Sequence, residues 1–388
     1  MKTILFVCYS LKVGGIERAL VEQINFLARR GENVTLLLFT ISGQYLCDVD
    51  KRVKIIGNLP IFKYLSLTQK EAKEKSFFTF CVRSFFALLV KIVGFPILWK
   101  ILKPFIPTIG YYDIAISYTL NVSLKSLYCG CPEFVLDKVK SRKKIAWMHA
   151  DYQRANIACA YNNSLYKSFD EVVNVTECMK KKFDAFKLIR EDKSIFVYNR
   201  FDPELILQKS KFHEVSYSQD IMNIISVGRL EKEKGTDQLM YVAKRLYDRG
   251  VKFRWYFVGT GVLDEWCKEF IDVNKMNGCV KLLGQKSNPY PYIKNANLFV
   301  SGSLSETFGL SILEALVLGT PSIAYKFDAI NEVLNETNGL VVNSFEDLDQ
   351  EIEKLINNES SYEQLKRKTR VLIDYNKKNT EEFEKILK

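Results

Sequence analysis

The sequence predicts an α/β protein with two parallel sheets in tandem. Three observations carry that expectation. Apolar, strand-like runs alternate with helical patterns through the chain, which requires parallel strands covered on both faces. The alternation breaks off near residue 200 and restarts near residue 221. The charge changes sign at the same place: residues 1–200 hold 31 Lys and Arg against 17 Asp and Glu, whereas the remainder is slightly acidic, within a net charge of +11. An imbalance confined to one half points to halves with different partners. A length of 388 residues is long for one core and comfortable for two.

Composition excludes several classes. The chain is 47% hydrophobic and 26% charged, as a globular protein is. Its nine cysteines show no CxxC spacing and no Cys/His cluster, so they read as reduced thiols. Two histidines, His149 and His213, leave no room for a histidine-rich zinc site. The start, "MKTILFVCYS", lacks a signal peptide's long apolar region and small-residue cleavage site, and reads as a buried first strand.

The elements follow in order. Strand Thr3–Cys8 leads into a loop with Gly14 and Gly15. A helix then carries Ile16, Leu20, Ile24 and Leu27 on one face, is stopped by Gly31, and gives way to strand "NVTLLLF". This is a βαβ unit. Further strands are expected at 112–118, 143–149, 171–175 and 194–198. The expected organisation is a domain over 1–200, a polar linker over 201–220, a second domain over 221–370, and a polar helix over 371–388 packing back on the first domain. Within the second domain the expected helices are 236–249, closed by Gly250, then 262–275 and 309–318. Two such sheets make two Rossmann-like domains, whose ligands sit outside the carboxyl ends of the strands, in the cleft between the domains.

One segment departs from the pattern. No acidic residue occurs between Glu74 and Asp113, and the stretch from Lys75 to Pro107 mixes five cations with aromatic and aliphatic residues. Its uncharged runs are too short to span a bilayer. Residues 76–107 read as a membrane-interface segment, with apolar bulk among headgroups and cations on phosphates. A helical hairpin buried against the sheet is the alternative.

The chemistry concentrates in "VSGSLSETFGLSILEALVLGTPS" (300–322). Gly309 and Leu310 open a helix whose free N–H groups and dipole suit an anion, and Gly309 allows close approach. Glu306 and Glu314 flank that start with seven residues between them. Carboxylates would repel a phosphate and are better used on hydroxyl groups. A sugar nucleotide offers hydroxyls on either side of a diphosphate. The cations it needs lie in "VGRLEKEKG": Arg229 after a strand and glycine, and Lys234 before Gly235 and a helix. Fixed cations and amides aimed at a departing diphosphate stabilise the transition state more than the ground state. That arrangement replaces a metal ion. "DVD" (Asp48–Asp50) has the shape of a metal-binding DxD but lies outside any nucleotide-binding frame. In the first half, Gly14 and Gly15 offer backbone to a ligand. His149 ends a strand near the expected cleft mouth, with Asp151 beside it on the acceptor side.

Together "GGIERALVEQINFLARRG", "VGRLEKEKG" and "SETFGLSILEALVLGTP" resemble the family-four retaining glycosyltransferases of GT-B fold, along almost the whole chain. The sequence departs from the common pattern at Thr307, where glycine is usual, and at "LVLG", where "MACG" is common. The resemblance implies that Arg229 and Lys234 bind the donor diphosphate, capped by the amides of Gly309 and Leu310. It implies that Glu314 holds the ribose, Glu306 faces the transferred sugar, Gly14 and Gly15 approach the phosphate, and His149 contacts the donor sugar. The base is expected against backbone near Leu283 and Gly284. A metal-independent, retaining transfer is expected, with no cofactor, from a UDP rather than a GDP sugar to a glycan or lipid-linked oligosaccharide in cell-surface polysaccharide assembly. The expected location is cytoplasmic, on the inner face of an anionic membrane. A nucleotide-sugar epimerase of the same fold is one rival reading. A nucleic-acid binder is the other, but no recognised module occurs and the basic segment is too apolar for a solvated groove, so nucleic acid is not an expected partner.

Overall fold

The computed structural model describes residues 1–12, 14–57, 59, 61–369 and 375–388. The chain divides into two units, Met1–Phe201 with Tyr375–Lys388, and Asp202–Asp374. The first unit contains β1 (Thr3–Cys8), β2 (Asn33–Leu38), β3 (Lys54–Gly57), β4 (Ile109–Ser117), β5 (Val139–Met148), β6 (Glu171–Asn174) and β7 (Ser194–Phe196). They form one sheet in the order β3-β2-β1-β4-β5-β6-β7, and every pairing is parallel. The second unit contains β8 (Met222–Val227), β9 (Phe253–Val258), β10 (Val280–Gly284), β11 (Leu298–Ser301), β12 (Ser322–Tyr325) and β13 (Leu340–Val342). Its order is β10-β9-β8-β11-β12-β13, again all parallel. The central strands bury residues on both faces, as Ile4 to Val7 in β1 and Leu298 to Val300 in β11 do. Strand order reverses between β1 and β4 in one unit and between β8 and β11 in the other. Those reversals are the switch points at which doubly wound folds bind ligands.

Helix Gly15–Arg29 packs Leu20, Ile24 and Leu27 inward. Ile16, expected on the same face, is 39% exposed, because it lies in the first turn, beyond the edge of the core. Gly31 has φ +92 and donates its N–H to Ala28 O at 3.2 Å, closing the helix as a C-terminal glycine does. The polar helix Tyr375–Leu387 belongs to the first unit. Asn379 anchors it by donating to Gln23 Oε1 at 2.9 Å and Tyr198 O at 2.6 Å, while the Arg200 guanidinium lies 3.3 Å over the Phe26 ring. The part of the expected C-terminal helix over 371–374 lies outside the described residues.

The expected linker is not one. Residues Pro203–Lys209 form a helix that buries Ile206, and Tyr217 stacks on Tyr256 with ring centroids 4.4 Å apart. The division falls instead between Phe201 and Asp202. The segment over 76–107 folds as helices Phe77–Val93 and Phe95–Leu102, broken at Gly94, whose φ is +80. Val90, Phe95, Leu98, Trp99 and Leu102 join the core of the first unit. Among the described residues no helix is long and apolar enough to cross a membrane.

Candidate nucleotide-sugar site

In the second unit β8 ends at Val227, and Gly228 and Arg229 begin the loop that carries the 3-10 turn Lys232–Lys234. Gly235 caps helix Thr236–Asp248 in the left-handed conformation, with φ 64. A Cβ there would stand 2.0 Å from the carbonyl oxygen of Gly302, the residue after β11. The two switch-point loops therefore meet backbone to backbone. Gly259 makes a similar approach, where a Cβ would lie 1.8 Å from Gly228 O. These contacts force glycine and hold Lys234 against the loop after β11. Lys234 Nζ donates to Glu306 Oε1 at 2.5 Å, and the Ser303 hydroxyl donates to the same oxygen at 2.9 Å. Arg229 is more exposed and pairs with Glu231 at 2.8 Å.

Gly309, with φ 71, caps helix Leu310–Val317. Glu314 lies one turn in and is 9% exposed. The Tyr290 hydroxyl donates to its Oε1 at 3.3 Å. Tyr290 carries no sequence signal, because its pairing with Glu314 is made by tertiary packing. Leu283 lies on edge strand β10, whose end accepts the Gly259 N–H at Gly284 O, at 3.0 Å. A cavity of about 610 Å³ opens at the other end of this sheet, lined by Gln219, Lys252, Asn297 and Glu353 among others. It lies at the amino ends of the strands, where this architecture does not place ligands, and none of the sequence-predicted site residues lines it.

The glycines make a direct test. Gly235→Ala and Gly250→Ala both replace a glycine at positive φ, but a Cβ on Gly250 meets nothing within 4 Å. Gly250→Ala is expected to cost about 1–2 kcal/mol from backbone strain alone. Gly235→Ala must also part the two loops, and should cost at least about 1 kcal/mol more in urea unfolding.

In the first unit, Gly14 precedes helix Gly15–Arg29 with an extended φ of 179, and no strain is stored there. The Glu17 carboxylate folds against it: a Cβ on Gly14 would lie 2.2 Å from Glu17 Oε2. Burial raises the Glu17 pKa above its ordinary value. Glu17 is a site neighbour that sequence reasoning passed over, although it stands in the quoted motif. His149 is 6% exposed, its ring 4.4 Å from that of Tyr118. Burial lowers its pKa to about 3, so the imidazole is neutral, and Nε2 has no hydrogen-bond partner among the described residues.

Asp151 lies in the turn after β5. Its carboxylate takes Lys182 at 2.5 Å and accepts the N–H groups of Gln153 and Arg154 at 3.1 and 3.0 Å. The "DVD" carboxylate Asp50 is spent on Arg52 at 2.7 Å and Arg29 at 3.6 Å. Among the described residues no group of three or more His, Cys, Asp or Glu could hold a metal ion.

Two parallel doubly wound units in tandem are the fold of the GT-B class. Residues 209–371 match the family model described as glycosyl transferases group 1. That match covers less than half of the chain. The chain is 26% identical to the capsular polysaccharide biosynthesis glycosyltransferase CapM of Staphylococcus aureus, over 49% of this chain and 53% of that protein. It is 24% identical to an uncharacterized glycosyltransferase of Haemophilus influenzae over 100% of both. The first of these matches thus spans about half the length of the relative. In fold it resembles Anabaena Alr3699/HepE, solved in complex with UDP and glucose, with a TM-score of 0.68, 17% identity and 100% of each chain covered.

Proposed function

We propose that this chain is a metal-independent, retaining glycosyltransferase. It moves a sugar from a nucleoside-diphosphate donor, UDP rather than GDP, to a hydroxyl of a glycan or lipid-linked oligosaccharide in cell-surface polysaccharide assembly. The observation that carries the reading is the Lys234–Glu306 pair, 2.5 Å apart, beside the glycine-sealed loops after β8 and β11. HepE was solved with UDP and glucose, TarM with UDP and α-GlcNAc-glycerol, and CapM belongs to capsule biosynthesis. These support the donor and acceptor classes.

In this mechanism the bond between the sugar's anomeric carbon and the diphosphate oxygen breaks, and its electron pair stays on the diphosphate. The acceptor oxygen bonds to the same face of that carbon, and its proton passes to the departing phosphate. Lys234 and Arg229 balance the growing charge, with the amides of Gly309 and Leu310. Glu314, steadied by Tyr290, accepts from the ribose hydroxyls. Glu306 faces the sugar once Lys234 turns to the diphosphate. His149, neutral and buried, serves as a hydrogen-bonding group rather than a cation. The basic first unit works on the inner face of an anionic membrane, where lipid-linked acceptors lie.

A donor panel tests this reading. UDP-sugars are expected to raise the unfolding temperature of the second unit more than GDP-sugars do. Transfer to a lipid-linked acceptor is expected to persist in chelator and give a product with the donor's anomeric configuration. Activity that vanishes in chelator and returns with manganese would refute the metal-free mechanism.

A further inference from the structure

Helix Phe77–Val93 is amphipathic in the inverted sense. Phe78, Cys81, Phe85, Leu88 and Ile92 recur at alternating spacings of three and four, one face of a helix, and that face points outward. Its four large members are between 59 and 69% exposed. The following helix and turn continue it with Ile97, Ile101 and Phe105, also exposed. The inward side is already satisfied, since Val90, Phe95, Leu98, Trp99 and Leu102 are in the core. A contiguous apolar face of this kind in a water-soluble fold marks an interaction surface.

Its charge says what covers it. Lys91 and Lys100 stand exposed beside the apolar stripe. Arg83 is spent on Leu67 O at 2.6 Å, and Lys103 on Asp137 at 3.3 Å. No acidic residue lies between Glu74 and Asp113. A second copy laid two-fold on this helix would bring no carboxylate opposite Lys91, so the stripe would meet like charge. A bilayer with anionic headgroups supplies both needs: acyl chains for the aromatic residues and phosphates for the two lysines.

We propose that the outward face of helices Phe77–Val93 and Phe95–Leu102 docks on an anionic lipid bilayer, Phe78, Phe85, Leu88, Ile92, Ile97 and Ile101 entering the interface. The inference deepens the membrane-surface reading above and rests on it, but not on the transferase chemistry. Binding here is driven by inserted apolar area, with charge as the selector.

Flotation of the full chain with vesicles tests it, using phosphatidylcholine alone or mixed with phosphatidylglycerol. The wild type is expected to float with the mixed vesicles. Phe85→Ser with Leu88→Ser should lower its partition coefficient at least about tenfold. Lys91→Glu with Lys100→Glu should abolish the preference for phosphatidylglycerol and the salt dependence. UDP binding by calorimetry, a property of the second unit, should be unchanged in both variants, which shows that they are folded. A wild type that fails to float, or a Phe85/Leu88 variant that floats like it, overturns the proposal. So does a wild-type dimer that the same variant converts to monomer, since the face then belongs to a second copy. If flotation behaves as expected but UDP does not bind, the docking surface stands and the transferase reading falls.

Discussion

Replacing Lys234 by alanine is expected to lower kcat/KM for sugar transfer by about 10²–10³ while leaving the second unit folded. The rate estimate follows from what one fixed donor to a developing oxyanion contributes, about 2.7–4 kcal/mol. Lys234 is well placed to be that donor. Its backbone is locked by the left-handed Gly235, which the Gly302 carbonyl oxygen crowds, so its ammonium is held at the switch point before any ligand arrives. In the free protein Glu306 neutralises it, and Glu306 keeps the Ser303 hydroxyl when the lysine is gone. The pair is partly exposed, so its loss should cost only about 1 kcal/mol of stability. Two readouts separate a charge effect from general damage. UDP affinity should fall far more than uridine affinity, because only the former carries the diphosphate. Lys234→Arg should restore part of that difference. Wild-type turnover in Lys234→Ala, or in its combination with Glu314→Ala, would remove the site.

The sequence showed the parallel strands because burial on both faces leaves continuous apolar runs such as "ILFVC" and "IISV". It showed helix ends where Gly31 and Gly250 stop them at positive φ. It also showed the carboxylate pair around Gly309, since that spacing is local. Two short edge elements were not legible, β3 and β13, four and three residues long, whereas the equally short edge strand β7 stood out in the apolar run "SIFVY". Helix Pro203–Lys209 was read as linker because its outer face is polar and only Ile206 is buried. Contacts made by tertiary packing were invisible in principle. Nothing in the chain order links Tyr290 to Glu314, Lys182 to Asp151, or Glu133 to Tyr161. The segment over 76–107 is a mixed case. Its composition revealed an unusual apolar content, but only the fold shows that the core takes Val90 and Trp99 and leaves Phe85 and Leu88 outside.

Glu133→Gln is expected to stabilise the first unit at pH 8 and to change little at pH 4.5. Glu133 sits in the first turn of helix Cys131–Lys138, buried in the core. Its Oε1 accepts from Asn121 Nδ2 at 2.7 Å and the Tyr161 hydroxyl at 3.0 Å, while Oε2 is buried without a hydrogen-bond partner among the described residues. Burial raises its pKa from 4.5 to about 7. The native carboxyl therefore keeps its proton up to about pH 7, whereas the unfolded chain releases it near pH 4.5. Between those values the native state binds more protons, so this residue's contribution falls as pH rises, and the loss is complete above pH 7. A shift of that size corresponds to about 3 kcal/mol. Glutamine carries no proton equilibrium, keeps the acceptor oxygen for Asn121 and Tyr161, and so escapes the loss. His149 acts in the opposite sense. The unfolded imidazole gains a proton below pH 6.5 and the native one only near pH 3, so acid weakens the fold there. That term is common to both proteins and cancels in their difference. Urea unfolding at the two pH values, followed by the fluorescence of Trp99 and Trp147, measures the gap. The gap should approach 3 kcal/mol at pH 8 and close toward zero at pH 4.5; an equal gap at both would show that Glu133 is not held protonated by its burial.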